Sequence, residues 1–473
     1  MALAAATFCA ILGIRNADHT ASPGDRMKKI IATAIIVFAL AFAFASGITP
    51  GYVVSAPGVA AGIGAKLLCS SRYVSGLSAE QSFDDLTQYS SLLQYLDVDY
   101  DESDKVVTTS LFGLGRTTAS YYPGVGCYTD YEGFEARASA NLQPMPVFNS
   151  RWPHGTRVET IDAGMQRQLS AMVSQDNGEG LNTRALLVVK DGNIVAEAYA
   201  QGAGPETPLL GWSMAKSLMS VMLGNLAWRG LLDVDEAPGF ESWAGDERAD
   251  IRIRDLLTMT DGLDFAEVYD PGSDATRMLF TEASASGYAL GRPALHAPGT
   301  QFNYSSGTAN ILSRVYFNRT GGTLTSSLAD YRQHIAGPMS FQHTVFEPDA
   351  RGVLVGSSYL YASARDWARL GQMMLQGGVL NGQRIVSEDW VEQSTQPNDS
   401  RNQKDYGYQW WLNTGESSPR WPDLPADAYA AQGNRQQSVT VIPSENMVIV
   451  RLGWTSGRYP ANERFAQIVA ALR

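Results

Sequence analysis

The stretch from Gly211 to Leu223 constrains the fold of this chain most. Leu218, Val221, Met222 and Leu223 recur at helical spacing behind Ser213, so the segment reads as a buried helix with Ser213 at its first turn. Lys216 falls on the same face, because residues three apart on a helix stack over one another. A lysine inside an apolar helix is costly unless its amine has a task, since desolvation penalises the charged form. The same desolvation leaves a neutral amine able to take the proton of a serine hydroxyl, while unpaired NH groups at the helix start face a developing oxyanion. Ser-x-x-Lys alone is a weak signal in a serine-rich chain. Of the seven lysines only Lys216 follows a serine by three, and the placement of both in an apolar helix is what carries weight.

Composition narrows the alternatives. The 473 residues are 44% apolar and 10% aromatic, enough for one large core or two smaller ones. A formal net charge of -12 without a long Lys/Arg cluster argues against a nucleic-acid surface. The five histidines, at 19, 154, 296, 334 and 343, show neither His-x-x-x-His nor Glu-x-x-His spacing, so no metal site is expected.

The N-terminal region has the layout of an export signal. Lys28 and Lys29 precede an apolar run from Ile30 to Ala45, broken only by Thr33 and closing with Ala43-Phe44-Ala45 before Ser46-Gly47. The run is short for a membrane span, but Ile48, Tyr52, Val53 and Val54 extend it towards an uncleaved anchor, so cleavage and attachment through residues 30–54 both stay open. Arg15, Asp18, Asp25 and Arg26 make an awkward prelude, which marks Met27 as an alternative start. The expectation is an exported protein, periplasmic or anchored facing the periplasm. With Cys9 set aside, Cys69 and Cys127 form an even pair in an oxidising compartment, readable as a disulfide or as two separate buried thiols. Residues 1–50 are thus a signal or anchor, 51–150 an extension to which no chemistry can be assigned, and 151–473 the domain that carries the motifs.

From Thr160 the pattern sharpens. Ile161, Met165, Leu169 and Met172 mark one face of a helix running to about Gln175. Two strand-like runs, 185–189 and 194–199, flank Asp191-Gly192, the strongest short hairpin signal. The Ser213 helix stops at Gly230. Gly230-Leu231-Leu232-Asp233-Val234-Asp235 and Ile253-Arg254-Asp255-Leu256-Leu257-Thr258-Met259-Thr260-Asp261-Gly262-Leu263 follow.

This order of motifs resembles the serine β-lactamase and penicillin-binding-protein superfamily, in particular its class C-like branch with esterases and 6-aminohexanoate-dimer hydrolases. The resemblance continues at Pro298-Gly299-Thr300-Gln301-Phe302-Asn303-Tyr304-Ser305-Ser306-Gly307 and at the 361–371 segment, and spans roughly residues 160–473. It implies an α/β (α+β) fold in which an antiparallel sheet, flanked by helices, adjoins an all-helical subdomain bearing Tyr304. It implies Ser213 as acylated nucleophile, Lys216 as its base and Tyr304 as proton shuttle to the leaving group, with no cofactor. Two departures stand out. Ser306 occupies a position where many relatives have Asn. In the third motif, Ala431-Gln432-Gly433-Asn434-Arg435-Gln436-Gln437, Asn434 stands in for a Lys or His, and the NH of Gln437 is the nearest candidate for the second oxyanion donor. Without that lysine, small esters or linear amides are the expected substrates; a β-lactamase or D,D-peptidase and a non-catalytic penicillin-receptor-like sensor are the alternatives. Gly211-Trp212-Ser213-Met214-Ala215 also resembles the nucleophile elbow of α/β-hydrolases, but an acid and a histidine should then follow, and repeated parallel βαβ units are not evident. Oligomeric state is not legible.

Overall fold

A computed structural model describes residues 50–131, 145–159, 161–414 and 419–473. The apolar run 30–45 and the alternative start at Met27 lie outside the described residues. Residues 55–473 form one compact unit. In chain order its main elements begin with helices α1 (Pro50–Tyr73) and α2 (Ala79–Thr87) and an antiparallel four-stranded sheet, β1 (Leu96–Asp101), β2 (Val106–Leu111), β3 (Leu114–Tyr122) and β4 (Gly126–Thr129), in the order β1-β2-β3-β4.

The segment from residue 160 onward folds where periodicity placed it. Helix α3 (Ala163–Gly178) starts at Asp162, whose carboxylate accepts from the Met165 NH at 2.7 Å. Strands β5 (Thr183–Lys190) and β6 (Asn193–Tyr199) join through Asp191 and Gly192, both with positive φ. Helix α4 (Met214–Trp228) is the apolar helix behind Ser213. The helical subdomain comprises α5 (Ile253–Leu257), α6 (Asp274–Phe280), α7 (Ala285–Leu290), α8 (Ser306–Arg319) and α9 (Leu324–Tyr331). Helix α10 (Ala364–Leu375) and strands β7 (Trp411–Leu412), β8 (Tyr429–Gly433), β9 (Gln437–Ile442) and β10 (Met447–Gly453) return the chain to the sheet, and α11 (Ala461–Ala471) closes it.

The central sheet has six antiparallel strands in the order β7-β8-β9-β10-β5-β6. Its period-2 alternation divides the core. Leu186, Val188, Ile449 and Met447 join α3 and α11 on one face, while Leu187, Val189, Val448 and Val450 join α4 and α10 on the other. The second face is the larger, because the helical subdomain and the N-terminal extension share it.

That extension has its own architecture, and three contacts fasten it to the region beyond residue 150. Lys66 of α1 is ion-paired with Glu347, both fully buried; Ser70 donates to Glu347 at 2.8 Å and the Cys127 NH at 2.6 Å. Asp85 of α2 pairs with Arg184 of β5 and accepts, through its backbone carbonyl, from the Trp454 indole at 2.8 Å. The Tyr89 ring stands edge-on to Trp212 and Trp454 at 6.0 and 5.7 Å. Cys69 and Cys127 are joined by a disulfide, which ties α1 to β4. By length and composition α1 could cross a membrane, yet within this unit Ala60, Ala61, Ala65, Leu67 and Leu68 line its core and Lys66 holds its ion pair.

Burial pushes the Lys66 amine down and the Glu347 carboxyl up, so each ion depends on the other to remain charged. Lys66→Met should therefore destabilise the protein by about 3 to 5 kcal/mol by stranding the carboxylate, while Lys66→Met/Glu347→Leu recovers much of the loss; thermal unfolding of both variants checks this. Removing the disulfide, whose cysteines are 58 residues apart, should cost about 4 kcal/mol in the chain-entropy account. Alkylation of unfolded, unreduced protein should accordingly find neither Cys69 nor Cys127.

Candidate active site

Ser213 is placed by a strained turn. Trp212, immediately before it, has φ +49, a left-handed conformation that a bulky residue adopts only when its surroundings impose it. Those surroundings are Tyr89, Tyr359 and Trp454, all within 6.5 Å of its ring. Gly211 leaves no room for a side chain, since a Cβ there would sit 2.3 Å from Trp367. The NH groups of Met214, Ala215 and Lys216 bond back to the carbonyls of Gly211, Trp212 and Ser213. The free donors expected at the helix start are thereby reduced to the NH of Ser213 itself. The Ser213 side chain makes no capping bond and is half-buried, so its Oγ faces the cleft.

Lys216 crosses from α4 into the subdomain. Its Nζ lies 3.1 Å from Ser213 Oγ, 3.1 Å from Ser306 Oγ and 3.0 Å from the Ser357 carbonyl. Full burial draws its pKa down to about 8, against a smaller upward pull from Glu267. Tyr304 stands over this group, its ring centroid 4.9 Å from Lys216 Nζ and its hydroxyl bonded to Ser213. Burial holds the phenol well above its usual value, so it stays protonated. The two groups are pushed in opposite directions: the amine towards its neutral form, the phenol towards its acid form.

Glu267 has no signature in the sequence. Its carboxylate accepts from the NH of Ser306 at 2.7 Å, from Ser306 Oγ at 2.6 Å and from the Tyr269 hydroxyl at 2.8 Å. Ser306 is thus fully buried behind Lys216, donating to Glu267 and accepting from the amine. The opposite wall is aromatic. Trp411 stacks on Tyr304 at 5.2 Å with Tyr406 edge-on to both, and Arg420 lies 3.9 Å over the Trp411 ring with its charge paired to Asp405 at 2.9 Å. Lone tryptophans and arginines give no spacing signal, so only the fold brings Trp411, Tyr406, Arg420 and Asp405 to Tyr304.

The third motif is arranged differently from its linear reading. Strand β8 ends at Gly433, where a Cβ would come within 2.1 Å of the Gly211 carbonyl; Gly433 is thus the residue that abuts the Ser213 turn. Asn434 is not on a strand but in the exposed turn after it, its Oδ1 accepting from the Arg435 NH at 2.7 Å. Gln437 lies across the ladder from Gly433, buried, with its side chain bridging to Gly453. No described contact brings Asn434 or Gln437 to Lys216. Arg435, at φ +59, turns away to cover Tyr89 at 3.9 Å, and Arg451 clasps the turn by donating to the carbonyls of Arg435 and Gln436.

Comparison with known proteins bears on the family and the fold. A 6-aminohexanoate-dimer hydrolase from Paenarthrobacter ureafaciens is 27% identical over 298 residues, covering 57% of this chain and 72% of that protein. Among solved structures, a family VIII carboxylesterase superposes with a TM-score of 0.51 at 15% identity, covering 67% of this chain and 100% of its own. EstCE1, a hydrolase with promiscuous acyltransferase activity, does so with 0.53 at 16% identity, covering 65% and 98%. At such identities the structures speak for the fold alone. The β-lactamase family model matches residues 160–472, a span that contains Ser213, Lys216 and Tyr304, and by it this chain belongs to the β-lactamase family.

Proposed function

We propose that the protein is a serine hydrolase that works through an acyl-enzyme on small esters or linear amides. The observation that carries this reading is the buried Lys216 amine, 3.1 Å from Ser213 Oγ, with its pKa lowered to about 8. Lys216 takes the Ser213 proton as Oγ attacks the carbonyl, and the NH of Ser213 meets the developing oxyanion. Tyr304, held protonated, gives its proton to the departing amine or alkoxide and is reprotonated from Lys216. Water then enters opposite the acyl carbonyl, and the same two groups carry its proton in reverse. Gly433 supplies the backbone edge beside the nucleophile. The name of the Paenarthrobacter relative supports a linear amide, and that of the carboxylesterase neighbour an ester. The signal-like segment and the cysteine pair support an exported protein.

Ser213→Ala should lower kcat by roughly 10⁴-fold or more, with Lys216→Met and Tyr304→Phe also severe and the triple variant little worse than the first, because the groups act as a unit. A Ser213→Ala protein retaining full activity would end the proposal.

The pH profile follows from the amine. Lys216 acts in its neutral form, so kcat/KM should rise with pH through a limb near 8. Glu267 favours the charged amine, so Glu267→Gln should move that limb to lower pH. An unmoved or raised limb would remove Glu267 from the electrostatics of the base.

Substrate preference tests the third motif. Asn434 offers no cation, Arg435 faces Tyr89 and Arg420 is neutralised by Asp405, so a β-lactam carboxylate lacks a free charged partner among these residues. Losing such a charge-assisted bond costs about 1.5 to 3 kcal/mol, roughly ten- to a hundredfold in affinity. Steady-state kinetics should rank a p-nitrophenyl ester and a 6-aminohexanoate dimer above a cephalosporin in kcat/KM; the reverse order would refute this reading of the cleft.

A further inference from the structure

One end of the N-terminal sheet presents apolar side chains to solvent without a structural reason. Tyr95, Phe112 and Leu114 are 55%, 66% and 60% exposed. Phe112 and Gly113 form the two-residue turn between β2 and β3, with φ of +53 and +73 between the paired Leu111 and Leu114. This turn geometry favours Asn-Gly or Asp-Gly, and a phenylalanine in the left-handed region is strained. The ring gains little in return within the fold, since its aromatic neighbour is the equally exposed Tyr95 at 5.8 Å.

Charge on the same sheet is mixed near the tip, where exposed Asp97 and Arg116 lie about one rung behind it, and mainly acidic at the other end. Exposed Arg116 follows the tip. The opposite end of the β1–β2 hairpin is the acidic turn Asp101-Glu102-Ser103-Asp104, some six residues or roughly 20 Å away along the strands. Helix α1 runs from the tip towards the acidic turn. A Cβ on Gly115, beside the tip, would meet the Pro57 backbone at 2.5 Å, whereas Arg72 at the far end of α1 pairs with Glu102 at 3.1 Å. The apolar end of the sheet thus lies beside Pro57 and Gly58 of α1.

We propose that the Phe112 turn is a membrane-contact surface, in which Phe112, Leu114 and Tyr95 enter the headgroup region of a phospholipid bilayer and Arg116 meets lipid phosphates. Aromatic rings and flanking cations are favoured at that depth. Three side chains bury too little area to hold a protein of this size on a membrane, so the turn orients a chain that the upstream apolar segment retains. The acidic turn, repelled by anionic lipid, faces water.

The test uses the full chain with Cys9→Ser, reconstituted into vesicles of phosphatidylethanolamine and phosphatidylglycerol at 3:1 (about a quarter anionic lipid). A nitroxide is attached at Phe112→Cys, at Leu114→Cys or, as control, at Ser103→Cys. Collisional accessibility to a water-soluble nickel complex should fall several-fold at 112 and 114 on moving from detergent to vesicles, and stay unchanged at 103. Labels at 112 and 114 that remain as water-accessible as the control in vesicle-bound protein would overturn the proposal, as would a full chain that fails to float with vesicles. Protection at 112 and 114 that rises with the protein-to-lipid ratio would also overturn it, by showing that a second copy of the chain covers the turn.

Discussion

Lys216 carries four methylenes into the middle of the molecule and leaves its amine among three oxygens, on Ser213, Ser306 and the Ser357 carbonyl. Those acceptors come from three separate stretches of chain, so the position of one nitrogen depends on α4, α8 and the segment before residue 360 being registered to within a few tenths of an ångström. Desolvation then does chemical work: it lowers the amine towards neutrality while Glu267 limits the shift. An apolar replacement would satisfy the packing of α4 and leave the three oxygens with nothing to organise them.

The N-terminal extension supports this centre from behind. Tyr89 packs on Trp212, the residue whose left-handed backbone presents Ser213, and Arg435 beyond it covers the same ring. Two buried ion pairs, Lys66 with Glu347 and Asp85 with Arg184, fix the register of that support. Buried pairs of this kind add little net stability, but they penalise any arrangement that leaves one partner alone. The extension is in this sense a buttress of the turn that presents Ser213.

Much of the domain was legible in the chain because its signals are periodic. The helix near 163–178, the Asp191-Gly192 hairpin and the Ser213 helix all follow from apolar spacing and turn residues. Lys216 and Tyr304 were legible through ordered motifs. The failures have physical reasons as well. Residues 96–129 form strands whose faces carry Thr, Tyr, Asp and Ser, because a small sheet buries only one thin face, and that alternation is weak. Glu267 acts through a bond to a residue 39 positions away, which no local pattern encodes. In the third motif Arg435 and Gln436 both adopt positive φ, which no residue type there signals, so the chain turns one residue after Gly433 and Asn434 stands in an exposed turn.

The clasp of Arg451 on that turn carries a further consequence. Its guanidinium is completely enclosed, and besides the carbonyls of Arg435 and Gln436 it donates to the Leu181 carbonyl and to the hydroxyls of Thr183 and Thr455. Such a fork leaves few alternative ways to thread the loop, because every misfolded arrangement must strand several donors in an apolar interior. The β8–β9 hairpin is therefore the part of the cleft least free to drift as sequences diverge. Changes of substrate within such a scaffold would be expected to arise instead on the aromatic wall around Trp411 and Arg420, where side chains meet water and can be exchanged one at a time.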